Sequence, residues 1–249
     1  MRSPETWKPS KFVMRGGRLA PSRDRSQVDV GSRLMVALIA DRYQRALPRH
    51  ARGRLLDMGC GSVPLYGAYR DHVTEVTCID WANGAHGNHH LDRECDLSAP
   101  LPFADGSFDT ILLSDVLEHL PDPRHCWSEA ARLLAPGGKL ILNVPFYYQV
   151  HEEPHDYFRY TEFALRRFAA DAGFDVVELT AVGGAPEIVV DIIAKLLTKL
   201  PLGAGPAAVL QWVAGRAGRS RLGGRLSRMT QFRFPLAYFM VAAVPGDRA

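Results

Sequence analysis

Asp57, Gly59, Gly61 and Asp80 are the residues whose types and spacing first suggest chemistry. Leu55 and Leu56 close a short apolar run that Asp57 ends, and the two glycines follow with Cys60 between them. A buried strand that stops at a carboxylate and turns through two glycines lets a ligand approach the backbone closely, since no Cβ stands in the way. The helix that follows would aim its free N–H groups and positive dipole end at that ligand. Twenty-one residues beyond Gly59, a second strand-like run ends in Asp80. An acid at about that distance is where a Rossmann-type fold accepts hydrogen bonds from a ribose. Turn and acid together imply a nucleoside cofactor.

A dinucleotide fingerprint asks for Gly or Ala three residues past Gly61, so that a pyrophosphate can sit at the helix N-terminus. Pro64 occupies that position, which disfavours NAD and favours S-adenosylmethionine. A sulfonium methyl is already activated, so a protein has mainly to align the partners and exclude water. A hydroxyl acceptor gains from a general base near neutral pH, for which His is the usual residue. His119 follows Glu118, while His151 and His155 fall in the run 144–161, which mixes aromatics, acids and histidines. Stacking rings beside charged groups suit a polyhydroxylated ligand such as a sugar; the alternative is a structural loop, with Thr161 and Glu162 opening the next helix. His151 and His155 stand four apart beside Glu152 and Asp156, but Pro154 argues against one helix carrying both. No metal is assigned. His86, His89 and His90 read as a solvent-facing loop.

Five runs stand in order: Leu-Leu-Asp-Met-Gly-Cys-Gly at 55–61, Cys-Ile-Asp at 78–80, Asp-Leu-Ser-Ala-Pro-Leu-Pro-Phe at 96–103, Ser-Phe-Asp-Thr-Ile-Leu-Leu-Ser-Asp-Val-Leu-Glu-His at 107–119, and Leu-Ala-Pro-Gly-Gly-Lys-Leu at 134–140. Together they resemble the class I S-adenosylmethionine-dependent methyltransferases, in particular the type 11 family, over residues 50–180. Val63 departs from the Gly that many relatives carry there. The resemblance implies that Asp57, Gly59, Cys60 and Gly61 form the cofactor turn and that Asp80 accepts from both ribose hydroxyls, with Trp81 over the adenine. It further implies that Asp96 and Leu97 meet the adenine end, while Ser114, Asp115 and Val116 flank the methionine part, mostly through backbone.

The elements that must position these residues alternate. Strands are expected at 54–58, 74–80, 108–114 and 138–144, and helices at 26–47, 63–71, 123–135 and 161–172. Such alternation means a parallel sheet with helices on both faces. The expected fold is a Rossmann-like, doubly wound seven-stranded sheet. Runs at 174–180 and 235–244 supply the last two strands, the final one antiparallel by resemblance. Residues 1–25 read as a basic flexible arm. Residues 26–249 read as one methyltransferase domain, with its core at 50–182 and 234–245 and a helical amphipathic insertion at 183–233.

The insertion is too long for an ordinary connection. Glu187, Asp191, Lys195 and Lys199 recur every four residues in an otherwise apolar helix, and a second apolar stretch leads into Arg216, Arg219, Arg221, Arg225, Arg228 and Arg233. An apolar face beside a basic one suits anionic lipid; packing against the core or a dimer partner is the other reading. The chain has 249 residues, 47% hydrophobic and 23% charged, with net charge +3, as expected of a globular protein without specific nucleic-acid binding. Cys60, Cys78, Cys95 and Cys126 are scattered and read as reduced thiols. No signal peptide or spanning run is evident, so a cytoplasmic protein is expected, with peripheral contact at the inner membrane face through 186–233 as the insertion's corollary. The expected activity is O-methylation of a small-molecule or glycan-type, lipid-linked acceptor. Methylation of a secondary metabolite or quinone is the alternative; RNA methylation and a non-catalytic cofactor-binding role stand behind both.

Overall fold

In the computed structural model, which describes residues 1–81 and 89–246, the chain opens with a hairpin, β1 (Phe12–Arg15) and β2 (Arg18–Pro21), before helix α1 (Arg33–His50). Seven further strands make the central sheet: β3 (Arg54–Met58), β4 (Glu75–Asp80), β5 (Arg93–Glu94), β6 (Phe108–Ser114), β7 (Leu134–Pro145), β8 (Asp175–Val182) and β9 (Ala237–Ala243). Their order is β5-β4-β3-β6-β7-β9-β8, with β9 antiparallel to both neighbours and the β5-to-β7 pairs parallel. The final strand thus enters beside β7 and leaves β8 at the edge.

The central strands are buried on both faces, and their side chains alternate between two cores. Leu56, Ile111, Leu113, Leu140 and Leu142 enter one core with Trp127 of α3 (Pro123–Leu133) and Leu165 of α4 (Glu162–Asp171). Leu55, Leu112 and Ile141 enter the other with Ile39, Tyr43 and Leu47 of α1 and Tyr69 of α2 (Tyr66–Tyr69). From β3 the chain runs outward through β4 and β5, then returns to β6 on the other side. Strand order therefore reverses between β3 and β6, the point where such sheets bind ligands.

Local chemistry sets the helix ends. Asp122 Oδ1 accepts the Arg124 N–H ahead of Pro123, and Thr161 Oγ1 accepts the Ala164 N–H. The helix expected at 63–71 shrinks to α2 and a 3-10 turn, Arg70–His72. Val63 has φ 52 and stands before Pro64, a position that disfavours the helical region. Residues 26–32 do not join α1: Asp29 Oδ1 accepts the Gly31 N–H and starts a 3-10 turn instead. At its other end α1 runs two residues past Pro48.

Residues 1–25 differ from the expected loose arm. Phe12 is 1% exposed and packs edge-on against Tyr43, and Leu19 is buried as well. Two apolar side chains anchored on α1 order a segment whose composition is otherwise that of a tail. The insertion contains three helices, α5 (Ala185–Thr198), α6 (Ala204–Gly218) and α7 (Arg221–Thr230).

Candidate functional site

At the carboxyl end of β3, Gly59 and Gly61 take left-handed backbone, with φ 71 and 49. The end of β4 clamps the turn: the Gly59 and Cys60 N–H groups donate to Ile79 O at 2.8 and 3.1 Å. Asp80 Oδ2 accepts the Gly61 N–H at 2.7 Å, and Oδ1 accepts the Trp81 N–H at 2.8 Å. A Cβ on Gly59 would stand 2.6 Å from Val116 Cγ2, so the residues after β6 close the other side. Gly59, Cys60, Gly61, Asp80, Trp81, Ser114, Asp115 and Val116 thus share one rim across three adjacent strands. The bare backbone and the placed carboxylate fit a nucleoside cofactor.

The surroundings of the expected cofactor residues differ from one to the next. Asp57 is buried behind the turn and accepts the Tyr69 hydroxyl at 3.0 Å. Burial raises its carboxyl pKa to about 7, partly opposed by that hydrogen bond. Contact with Cys78 and burial push the Cys60 thiol far up. The exposed Asp96 accepts the Ser98 N–H at 2.8 Å and so holds a turn, while the Leu97 side chain belongs to the core. The Trp81 ring meets the His155 ring edge-on, centroids 5.0 Å apart.

The N-terminal segment supplies residues that sequence reasoning missed. Trp7 Nε1–H donates to Val63 O at 3.0 Å, Ser10 Oγ lies 3.0 Å from Ser62 Oγ, and Lys11 Nζ donates to Asp115 Oδ2 at 2.8 Å. Burial works against the Lys11 charge, but the Asp115 carboxylate more than offsets it and the pKa is raised. Asn143 Nδ2 donates to the other Asp115 oxygen. Trp7 and Phe12, two large rings in a polar stretch, were the available signal for this strap.

Beside this rim the loop between β7 and α4 folds back over residues 117–119. The Tyr157 N–H donates to Glu118 O at 2.8 Å and the Tyr160 hydroxyl to Leu117 O at 2.8 Å. This brings His119 and His151, 32 positions apart, to ring centroids 4.8 Å from each other. Glu118 lies between them, with Oε1 3.8 Å from His119 Nε2 and 3.9 Å from His151 Nε2. Glu118 is fully buried, and neither of its oxygens meets a hydrogen-bond donor from another residue. Burial, with Asp115 nearby, drives its pKa well above the usual carboxylate range. His119 Nδ1 faces His155 O at 2.7 Å, so His155 joins through its carbonyl while its ring turns toward Trp81 and Tyr157. His151 Nδ1 faces Asp156 Oδ2 at 3.3 Å, and Arg159 grips that carboxylate and holds its pKa low. Burial and the neighbouring His119 lower the His151 pKa, which favours a neutral ring.

The insertion reaches this cluster with its charged side. Lys195 Nζ donates to Asp191 Oδ2 at 2.6 Å and sits 3.6 Å from the centre of the Tyr148 ring, which in turn meets His151 edge-on at 5.1 Å. Gln211 of α6 accepts the Leu34 N–H and donates to Gly31 O, pinning the insertion to the start of α1.

A family model described as a methyltransferase domain (Methyltransf_23) matches residues 32–179. The ubiquinone biosynthesis O-methyltransferase of Xanthomonas euvesicatoria pv. vesicatoria is 36% identical over 106 residues, 37% of this chain and 43% of that protein. The 27-O-demethylrifamycin SV methyltransferase of Amycolatopsis mediterranei is 34% identical over 116 residues, 42% of this chain and 43% of that protein. The chain thus spans less than half the length of these curated relatives. An S-adenosylmethionine-dependent methyltransferase from Mesorhizobium loti superposes with a TM-score of 0.53 at 15% identity, over 84% of this chain and 99% of that one. The [4+2]-cyclase SpnF gives 0.54 at 20%, over 85% and 83%. At these identities the structures share the fold alone, and the cyclase shows that the fold does not fix the reaction. With a family match over more than half its length and a sheet of this kind, the chain belongs to the class I S-adenosylmethionine-dependent methyltransferases.

Proposed function

We propose that this chain transfers a methyl group from S-adenosylmethionine to a hydroxyl oxygen of a small-molecule or glycan-type acceptor carried on a lipid. The turn at Gly59 and Gly61, with Asp80, would hold the cofactor, which supplies an electrophilic methyl when bound. The observation that carries the reading is the group of buried Glu118 with half-buried His119 and His151 beside that rim, at the carboxyl end of β6. An acceptor hydroxyl placed against it meets a neutral His151 imidazole, in a loop that Asp156 holds by accepting the His151 backbone N–H at 2.9 Å. One curated relative is named an O-methyltransferase and the other a methyltransferase of a 27-O-demethyl compound, which supports an oxygen acceptor. The test is transfer of labelled methyl to fractions of a lipid extract and to phenolic and sugar alcohols. His151→Ala should lower kcat by about 10²–10⁴-fold, the usual worth of a general base, with S-adenosylhomocysteine affinity kept within about twofold. An unchanged kcat would remove His151 from the chemistry.

The lipid part of the reading is supported by the outer surface of α5–α7. Ile192, Leu196 and Leu200 of the α5 region stand exposed, as do Trp212, Leu226 and Met229, while the arginines of α6 and α7 accompany them. Residues 192–246 hold eight Lys and Arg and no acid. No helix of the described residues is long and apolar enough to cross a membrane; the fit is to a surface, with apolar side chains among the acyl chains and arginines at anionic headgroups. The second reading, a free quinone-like or secondary-metabolite acceptor beneath the insertion as a lid, is favoured by the relatives' names. Arg216→Ala with Arg219→Ala separates the two: vesicle binding weakens under the first, and turnover of a free acceptor is untouched under the second.

A further inference from the structure

We propose that Glu118, His119 and His151 form a divalent transition-metal site whose open position takes the acceptor's hydroxyl oxygen. One ligand atom from each of the three lies within 4.8 Å of the others. The His119 ring is turned by an outer partner, with Nδ1 and His155 O 2.7 Å apart. The loop that carries His151 is held by its backbone N–H donating to Asp156 Oδ2 at 2.9 Å, while His151 Nδ1 lies 3.3 Å from that oxygen without a hydrogen bond. A ring partner such as that of His119 is how metal-ligating histidines are held: it fixes the tautomer and directs the Nε2 lone pair toward the ion. The third observation is the Glu118 carboxylate itself. It is fully buried and lies between the two rings, with no hydrogen-bond donor from another residue on either oxygen; His119 Nε2 is buried and makes no hydrogen bond either, with Glu118 Oε1 and Glu152 Oε2 each 3.8 Å away. Unmet polar atoms at such depth are costly, and one cation would satisfy all of them. Bonds of ~2.0–2.2 Å to a tetrahedral ion put ligand atoms roughly 3.4 Å apart, so the separations of 3.8 and 3.9 Å from Glu118 have to close by about half an ångström, and the widest, within 4.8 Å, by up to about 1.4 Å.

Two imidazoles and one carboxylate suit Zn²⁺ and its transition-metal neighbours, whereas Mg²⁺ and Ca²⁺ prefer oxygen ligands. Three protein ligands leave a position open, the pattern of catalytic sites. A hydroxyl bound there ionises more readily. With the ion bound, His151 acts as a ligand in place of a base: the hydroxyl proton passes to solvent, the oxygen's electron pair forms the O–CH₃ bond, and the C–S pair returns to sulfur. The sequence assigned no metal, with Pro154 against His151 and His155 acting from one helix; in the fold His151 meets His119 instead, because the loop folds back and the His155 ring turns toward Trp81. Only the transfer step rests on the proposed O-methyl transfer; the site is tested without it.

The test is calorimetric titration of chelator-stripped, full-length protein with ZnCl₂, with CoCl₂ as an optical probe. One ion per chain should bind at micromolar concentration or tighter. Glu118→Gln and His151→Ala should each weaken it at least 100-fold, with S-adenosylhomocysteine affinity and melting temperature close to wild type. His151→Ala, in a loop, guards against a folding defect in Glu118→Gln. No one-to-one Zn²⁺ binding by stripped protein that still binds S-adenosylhomocysteine would overturn the site, as would binding that neither variant weakens. Full methyl transfer by stripped protein in the presence of chelator would overturn the metal's role and leave the proposed function standing. Site-dependent Zn²⁺ binding with no transfer to any hydroxyl acceptor would sustain the site and sink the acceptor reading.

Discussion

The glycine at 59 answers to two constraints at once, a left-handed φ of 71 and a Val116 methyl that would meet a Cβ at 2.6 Å. The left-handed backbone alone costs an alanine about 1–2 kcal/mol, and the clash pushes the residues after β6 off the rim. Gly59→Ala is therefore expected to weaken S-adenosylhomocysteine binding at least tenfold by calorimetry. Asp57 makes a different prediction, one of pH. Its folded pKa of about 7 stands above the ordinary 3.8, so the folded chain holds a proton that the unfolded chain has released between those values. Stability from this group is undiminished below about pH 4, falls as pH rises and is lowest above pH 7. Wild type should lose roughly 2 kcal/mol between pH 5 and 7.5 from this group. Asp57→Asn should flatten that slope in urea melts, and an unchanged slope would mean that the carboxyl ionises freely.

Helix α5 inverts the usual arrangement of a surface helix. Asp191 and Lys195 are 3% and 9% exposed, whereas Ile192 and Leu196 are 53% and 64%. The four-residue spacing of charges was plain in the sequence, but not that the charged stripe faces inward; Tyr148 and the paired Asp191 and Lys195 decide it. Exposed positions tolerate change, so Ile192→Ser with Leu196→Ser should leave the melting temperature within a degree or two, equivalent to about ±0.5 kcal/mol. If this face meets lipid, burying two such side chains stabilises docking by a few kcal/mol. The double variant should then lose at least tenfold in affinity for vesicles of phosphatidylcholine with phosphatidylglycerol, read by sedimentation. Equal binding would remove α5 from the docking face. The N-terminal strap makes a similar point about elements: Phe12 and Trp7 became informative only when α1 and the 59–63 turn supplied their partners.

Across the whole molecule, charge is divided unevenly. Residues 192–246 carry eight basic side chains without an acid, on a chain whose net charge is +3, so the remainder is net acidic. A division of this kind gives one face an attraction to anionic surfaces that salt screens within about 10 Å at 0.1 M. Arg225→Glu with Arg228→Glu is expected to abolish binding to the anionic vesicles. Wild-type binding should fall at least tenfold between about 0.05 and 0.3 M NaCl, and salt-independent binding would point to apolar contact alone.

The sequence by itself determined the order of the main core strands β3, β4, β6, β7, β8 and β9 and of helices α1, α3 and α4, because burial on both faces and turn chemistry are local properties written in runs of a few residues; the hairpin β1–β2 and the two-residue β5 were not among them. It also determined the glycine turn after β3, since Gly59, Gly61 and Asp80 act through backbone conformations and a strand end that need only their near neighbours. Only the tertiary structure decided which way α5 faces, that Lys11 closes on Asp115, and that Glu118 is buried between His119 and His151. A Glu-His pair at a strand end looks like any exposed polar dipeptide until the loop 32 positions later folds back over it. Burial, partner and ionisation state are properties of that encounter, and no local pattern encodes them.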